Sequence, residues 1–111
     1  MMRVAVVSIG LCLWAGVAFA QGNADHGKQL FADNKCGVCH SIGGTGNKKG
    51  PLDDVGARMS ADDIRQWITS APEMAAKAKA ERKPPMKAYT ALSKQDVDDL
   101  VAYMQTLKAK K

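Results

Sequence analysis

The sequence has little that would suit a nucleic-acid-binding protein. Only 5% of its 111 residues are aromatic, and the excess of lysine and arginine over acidic residues gives a net charge of +5. It has no arginine-rich stripe with interleaved aromatic side chains of the kind that stacks on bases. A mild basic excess instead favours acidic protein partners, and we expect no nucleic-acid partner.

Apolar runs long enough to span a membrane are also missing. The run at residues 4–17 follows Arg3 and is too short for a good transmembrane span. Ala18-Phe19-Ala20 then supplies small residues at both positions of an A-x-A cleavage site. We therefore expect residues 1–20 to be a cleaved signal peptide. Residues 21–111 would then form one small domain in the periplasm, with no stable membrane insertion after cleavage.

The period-two alternation of apolar and polar residues that marks strands is absent, so we predict an all-α fold. Helix boundaries are marked by polar caps and by prolines. The first expected helix spans 24–34, with Asn23 as its N-cap, and a short second helix follows Ser60, with Asp63 in capping-box position. A third helix is expected from Pro72 to Pro84-Pro85. The last one follows Ser93, with Asp96 in capping-box position. Residues 43–56 read as a glycine-rich loop.

Apolar residues at helical spacing predict the buried face of three of these helices. They are Gly27, Leu30 and Phe31; Ile64, Trp67 and Ile68; and Val97, Leu100, Val101, Met104 and Leu107. The paired carboxylates Asp53-Asp54, Asp62-Asp63 and Asp98-Asp99 are interpreted as loop, cap and solvated helix residues. No catalytic acid, base or nucleophile stands out, and we expect the protein not to be an enzyme by itself.

The chemistry of the chain is concentrated at Cys36-Gly37-Val38-Cys39-His40. Two thiols this close would form a disulfide in an oxidising compartment unless something else consumed both. C-x-x-C-H is the attachment signature for one covalent c-type haem. On a helical turn the two thiols reach neighbouring vinyl groups, and His40, four residues after Cys36, can bind the iron as proximal ligand.

Two other readings of this motif fit less well. A thioredoxin-like dithiol needs a βαβ context, and the chain shows no strand pattern. A structural zinc site needs four ligands, and the only other histidine is His26. With Cys12 removed in the signal peptide, no second cysteine pair remains.

A sixth ligand for the iron would come from a methionine or from His26. The candidates are Met59, Met74, Met86, Met104 and His26. Met86 is the prediction because Pro84-Pro85 stiffens the backbone that presents it, and Met59, in a loop before a cap, is the alternative. Met104 is expected in the core, Met74 in an exposed turn and His26 on the surface.

These residues resemble a class I monohaem cytochrome c of the bacterial, periplasmic type over essentially all of residues 21–111. The resemblance is carried by the C-x-x-C-H motif, Gly50-Pro51-Leu52, Trp67, Pro85-Met86 with Tyr89, and Gly27 and Phe31 with Leu100 and Tyr103. It implies the small cytochrome c fold, in which the N- and C-terminal helices cross at a glycine and helices and loops enclose the haem.

The resemblance also implies roles for individual residues. Pro51 would offer its carbonyl to the free nitrogen of His40 and so fix the ring plane. Trp67 would donate its indole N–H to a haem propionate, although a plain core role is the alternative. Tyr89 would do the same or pack on the ring.

The function expected from these features is the transfer of single electrons through a His/Met-ligated haem, because such an iron has no open position for a substrate. Basic residues near the haem would steer the chain toward periplasmic or membrane-bound redox proteins with acidic docking faces. They are Lys48, Lys49, Lys77, Lys79, Arg82, Lys83 and Lys87. Two alternatives stay open: the cytochrome subunit of a periplasmic dehydrogenase that oxidises, for example, sulfite or an alcohol, and a gas-binding or peroxidase-like haem protein.

Overall fold

The computed structural model describes residues 22–109, and this part of the chain is mainly helical. The predicted signal peptide and Cys12 lie outside the described residues. The helices are α1 (Ala24–Asp33), α2 (Val55–Arg58), α3 (Ala61–Thr69), α4 (Ala71–Ala78) and α5 (Lys94–Gln105), with one 3₁₀ turn at Cys36–Val38. Two-residue strands β1 (Ser41–Ile42) and β2 (Thr45–Gly46) pair antiparallel. The all-α prediction is confirmed, with this small hairpin inside the predicted loop region.

Within residues 22–109, no helix combines the length and the apolar character that a bilayer crossing requires.

The three predicted N-caps all form. The Asn23 side chain accepts hydrogen bonds from two backbone N–H groups in the first turn of α1. Ser60 Oγ accepts from the Asp63 N–H at 3.1 Å, and Ser93 Oγ accepts from the Asp96 N–H at 3.1 Å. Each cap satisfies an N–H that the helix itself leaves without a partner, which explains why the sequence located these helix starts correctly.

The predicted end of the helix that contains Pro72 was wrong. The helix ends at Ala78, and Lys79 adopts a left-handed backbone with φ of 50°. The N–H of Ala80 then donates to the Ala75 carbonyl at 2.9 Å, as in a helix ending that closes on its own last turn. Residues 80–88 are therefore an irregular segment rather than the end of a helix, and this segment carries Met86.

The core lies where the first and last helices cross. Its buried apolar residues are Leu30, Val55, Ile64, Ile68, Val97, Leu100, Val101 and Met104. At the crossing, a Cβ on Gly27 would collide with the Asp99 backbone, so only glycine allows this approach. Phe31 and Tyr103 pack edge to face beside it, with ring centroids 6.1 Å apart. The predicted helix crossing is confirmed.

We expect Gly27→Ala to lower the free energy of unfolding by about 2 kcal/mol, because an added methyl group in a close-packed contact forces the helices apart. Urea unfolding of the haem-loaded protein measures this. The matched control is Gln29→Ala on the exposed face of the same helix, which should change the value by less than about 0.5 kcal/mol. Equal effects of the two substitutions would contradict the role given to Gly27.

The interpretation of Asp98-Asp99 as solvated residues was wrong, because both carboxylates are buried and paired. Asp98 binds the guanidinium of Arg65 on α3 and lies 3.2 Å from Lys94 Nζ. One Asp99 oxygen accepts from the Asn23 N–H at 2.6 Å, and the other lies 2.5 Å from Nδ1 of the half-exposed His26. The two carboxylates thus tie α5 to α3 and to the start of α1.

The partners of these carboxylates determine their pKa values. The hydrogen bond from Arg65 and the neighbouring Lys94 hold the pKa of Asp98 below its ordinary value. Burial alone would raise the pKa of Asp99, but hydrogen bonds from His26, the Asn23 N–H and Gln95 outweigh burial and lower it. The ionised form of each carboxylate therefore stabilises the folded protein.

Acid should remove the stability that Asp98 contributes. Since its pKa is lower in the folded protein than in the unfolded chain, that stability is complete above the ordinary value of 3.8 and is lost as the pH falls through the lower native value. We expect Asp98→Asn to cost about 2 kcal/mol at pH 7, as charge-assisted hydrogen bonds do, and progressively less below pH 4. Urea unfolding across this pH range measures the difference. The exposed Asp33→Asn is the control, and a difference for Asp98→Asn that does not change with pH would refute this account.

Candidate haem site

The C-x-x-C-H motif forms a tight turn directly after α1. Lys35, with φ of 56°, reverses the chain, and the 3₁₀ turn Cys36–Val38 follows. The His40 N–H donates to the Cys36 carbonyl at 3.0 Å, so the imidazole follows the first cysteine by one turn. The two thiols are half-buried and are not joined in a disulfide. Both cysteines and the histidine line the same cavity, as their spacing predicted.

That cavity has a volume of about 300 Å³. Its lining includes residues of all five helices and of the segment before Met86. Its walls are mostly apolar. The lining residues outside the motif include Phe31, Leu52, Val55, Met59, Ile64, Trp67, Ile68, Pro84, Pro85, Met86, Tyr89, Leu100 and Met104. An apolar slot with two thiols and one imidazole at its edge fits a porphyrin attached through both thiols, because haem presents large apolar faces and iron takes a nitrogen ligand.

The orientation of His40 is set by a backbone carbonyl, but not by the one predicted. His40 Nδ1 lies 3.0 Å from the Gly50 oxygen, which also accepts the Ser41 N–H at 3.1 Å. A donor hydrogen on Nδ1 leaves Nε2 as the nitrogen available to iron. Burial lowers the pKa of His40, partly offset by the Gly50 contact, and this favours the neutral imidazole that binds metal.

Pro51, which the resemblance named for this role, is exposed and pairs with Ser41 in an isolated β-bridge. Within that bridge the Gly50 oxygen accepts a hydrogen bond from the Ser41 N–H, and the Leu52 N–H donates one to the Ser41 carbonyl oxygen. Successive carbonyls of extended backbone point in opposite directions, so the Pro51 oxygen is turned away when the Gly50 oxygen faces His40. The contact is therefore corrected from Pro51 to Gly50.

Three methionines line the cavity, and they include both favoured ligand candidates. They are Met59, Met86 and Met104. Met104 is buried in the core of α5, as expected. Neither Met74 nor His26 lines this cavity in the described part of the chain, and His26 is instead committed to Asp99. Ligation by Met86, with Met59 as the alternative, stays a prediction.

Trp67 and Tyr89 also face the cavity. Tyr89 is anchored by its N–H, which donates to the Ile68 carbonyl at 2.8 Å, and its phenol lies close enough to the Cys36 thiol for each group to affect the pKa of the other. Burial raises the pKa of both groups. Their location fits contact with a ring attached at Cys36, whereas the propionate contacts expected of Trp67 and Tyr89 stay predictions.

Sequence reasoning missed the part that Arg82 and Gly50 play in the site. Arg82 lines the cavity, and its guanidinium occupies the space beside Gly50 that a side chain at position 50 would need. The sequence signal for such a contact was weak, since a glycine before a proline also marks an ordinary loop.

Basic residues gather beside the second cysteine, around an exposed apolar side chain. Val38 is 68% exposed. It shares a shallow surface depression with Cys39 and with three of the cationic residues predicted to border the haem, namely Lys49, Arg82 and Lys83. Another of the predicted set, Lys87, places its Nζ 5.0 Å from the centre of the Tyr89 ring. We call the surface of Val38, Lys49, Arg82 and Lys83 the basic rim.

Comparison with known proteins bears on what this cavity holds. A family model described as cytochrome c matches residues 24–108. The chain is also 31% identical over 94 residues to a protein named cytochrome c oxidase subunit 2 from Alkalihalophilus pseudofirmus, an alignment that covers 77% of this chain and 26% of that protein. The chain thus spans about a quarter of that relative's length. No solved structure matches the chain at a comparable level of significance.

Proposed function

Since the chain belongs to the cytochrome c family and so carries covalently bound haem c, we propose that it transfers single electrons between redox partners in the periplasm, with His40 and Met86 as the two protein ligands of the iron. When bound, haem supplies a one-electron iron couple. The observation that carries the proposal is the apolar cavity on which Cys36, Cys39, His40 and Met86 converge.

The residues around the cavity support a carrier rather than a catalyst. Gly50 fixes the plane of His40, and Pro84-Pro85 presents Met86 from another part of the cavity wall. His40 and Met86 would hold the iron between them, and an iron with two protein ligands would leave no position for oxygen, peroxide or substrate. A thioether ligand and apolar surroundings also favour the reduced iron.

The basic rim supports a partner with an acidic docking face. Its three cations share one surface depression with the exposed Val38, so that an apolar group and positive charge lie together next to an attachment cysteine. Opposite charges on a partner would speed encounter, and the small apolar contact suits brief association. The rim would therefore direct the haem edge toward the partner.

The test is the second-order rate of electron transfer to ferricyanide, an anionic oxidant, measured by stopped flow. We expect the rate to fall as ionic strength rises, and Lys49→Glu and Lys83→Glu, each made singly, to lower it severalfold at low salt. Lys28→Glu, on the exposed face of α1, is the matched charge control and should change the rate less.

Carbon monoxide should not bind the reduced protein at neutral pH, and ready binding would favour the gas-binding alternative over the carrier.

A second candidate is a cytochrome subunit held in an enzyme complex, such as a periplasmic dehydrogenase. The similarity to a quarter of a longer protein named as an oxidase subunit favours it, because a comparable segment there is part of a larger chain. Purification from the native source at low salt separates the candidates. A carrier would elute alone at its own mass, whereas a subunit would elute with a larger protein that has its own activity.

The proposal that the protein is exported rests on residues 1–20. The proposed cleavage after Ala20 would leave Gln21 as the new N-terminus. Mass measurement of the haem-loaded protein isolated from periplasm tests this, and an intact Met1 would argue against it.

A further inference from the structure

The segment that carries Met86 has few backbone anchors. The Ala80 N–H donates to Ala75 at one end, and the Tyr89 N–H donates to Ile68 at the other. Between them, within the described chain, no backbone hydrogen bond joins residues 81–88 to the rest of the fold. Two prolines in this stretch remove N–H donors altogether. The contacts that keep Met86 at the cavity must therefore be made largely by side chains.

The Arg82 side chain reaches from this segment to the loop that orients His40. Its guanidinium lies against Gly50, in space that is open only because residue 50 has no Cβ, and the same space borders the Cys39 carbonyl oxygen. Arg82 also lines both the haem cavity and the surface depression beside it. The contact thus joins the segment that carries Met86 to the loop that carries Gly50.

Gly50 is a significant place for this contact. Its carbonyl holds Nδ1 of His40 at 3.0 Å and also binds the Ser41 N–H. The guanidinium fills the space that glycine leaves open at position 50, whereas a compact, strongly hydrated lysine ammonium would make a smaller contact there. Arg82 is therefore suited to fasten the two segments together.

We propose that Arg82 is a positioning residue that fastens residues 81–88 to the loop at Gly50 and thereby holds Met86 toward the iron. The inference about Met86 rests on the proposed function, whereas the fastening itself does not. Without Arg82 the segment opens more often, and the ligand position that Met86 fills becomes available to outside molecules for a larger fraction of the time.

Imidazole titration of the oxidised haem-loaded protein measures that fraction, since apparent affinity rises in proportion to the open population. We expect Arg82→Gln to bind imidazole about tenfold more tightly than wild type, and Arg82→Lys to fall between the two. Lys83→Gln is the matched control: it removes the same charge from the neighbouring residue, which does not border Gly50. Equal tightening in Lys83→Gln, or none in Arg82→Gln, would overturn the proposal.

Hydrogen exchange at the Tyr89 N–H, followed by NMR, tests the fastening independently of the ligand, because this amide anchors the end of the segment to the Ile68 carbonyl. Arg82→Gln should speed exchange of the Tyr89 N–H and leave the amides of α5 unchanged, because only the segment is released. Unchanged exchange at Tyr89, or equal acceleration in α5, would refute a specific positioning role. If Met86→Ala binds imidazole no more tightly than wild type, Met86 is not the ligand and the proposed ligation fails, while the exchange result still decides the role of Arg82.

Discussion

Replacing Cys36 and Cys39 together by serine is expected to abolish covalent haem in this protein. Both thiols are free, half-buried and face one apolar cavity, and a serine hydroxyl forms no thioether with a vinyl group. Haem staining of a denaturing gel should fall to the background of a haem-free sample. The remaining chain should be poorly folded, because a small domain built around an empty apolar slot buries too little surface to be stable.

The single variants serve as matched controls for the double variant. Cys36→Ser and Cys39→Ser should each keep one thioether, so haem staining persists at a reduced level. The α band of the pyridine haemochrome should shift to longer wavelength, because one vinyl group stays unsaturated. Retention of full staining by the double variant would show that haem is attached elsewhere and would remove the basis of the proposed site.

Met86→Ala is expected to have the largest effect on the redox chemistry. The oxidised wild type should show the weak long-wavelength band of a sulfur-to-iron bond, and the variant should lose it. The reduction potential should fall by about 0.2 V, a fraction of the roughly 0.8 V range that axial ligation and environment impose on haem. Optical spectra and protein-film voltammetry measure the two quantities on the same samples.

Met59→Ala is the informative comparison, because Met59 lines the same cavity and is half-buried like Met86. If Met86 is the ligand, Met59→Ala keeps both the band and a potential near that of wild type. Loss of the band in Met59→Ala alone would transfer the ligand role to Met59. A wild type without the band would instead reopen the gas-binding alternative.

The features that sequence predicted well are those in which the interacting residues are neighbours along the chain. The caps at Asn23, Ser60 and Ser93 each bond within the next three residues, and the C-x-x-C-H motif spans a single turn. Gly27 was also found correctly, because its spacing with Leu30 and Phe31 placed it on the buried face and the resemblance implied that the helices cross there. In these cases the residue types and their spacing are enough to predict the local geometry.

The features that were missed depend on partners far along the chain. Asp98 reads as a solvated residue because no local pattern reveals Arg65, which lies 33 residues away. The choice of Gly50 over Pro51 depends on the direction of a carbonyl within a β-bridge to Ser41, and sequence does not specify that direction. Arg82 was expected to act as a surface charge, and its contact at Gly50 follows only from the path of residues 80–88.

The packing of α1 on α5 has a consequence for how the chain is made. The two helices stand at opposite ends of the described chain, so Leu30 lacks most of its apolar cover until residues beyond Lys94 have been synthesised. A growing chain that has not yet reached α5 therefore keeps Cys36 and Cys39 on open polypeptide. Both thiols would therefore be accessible for haem attachment before the cavity closes around them.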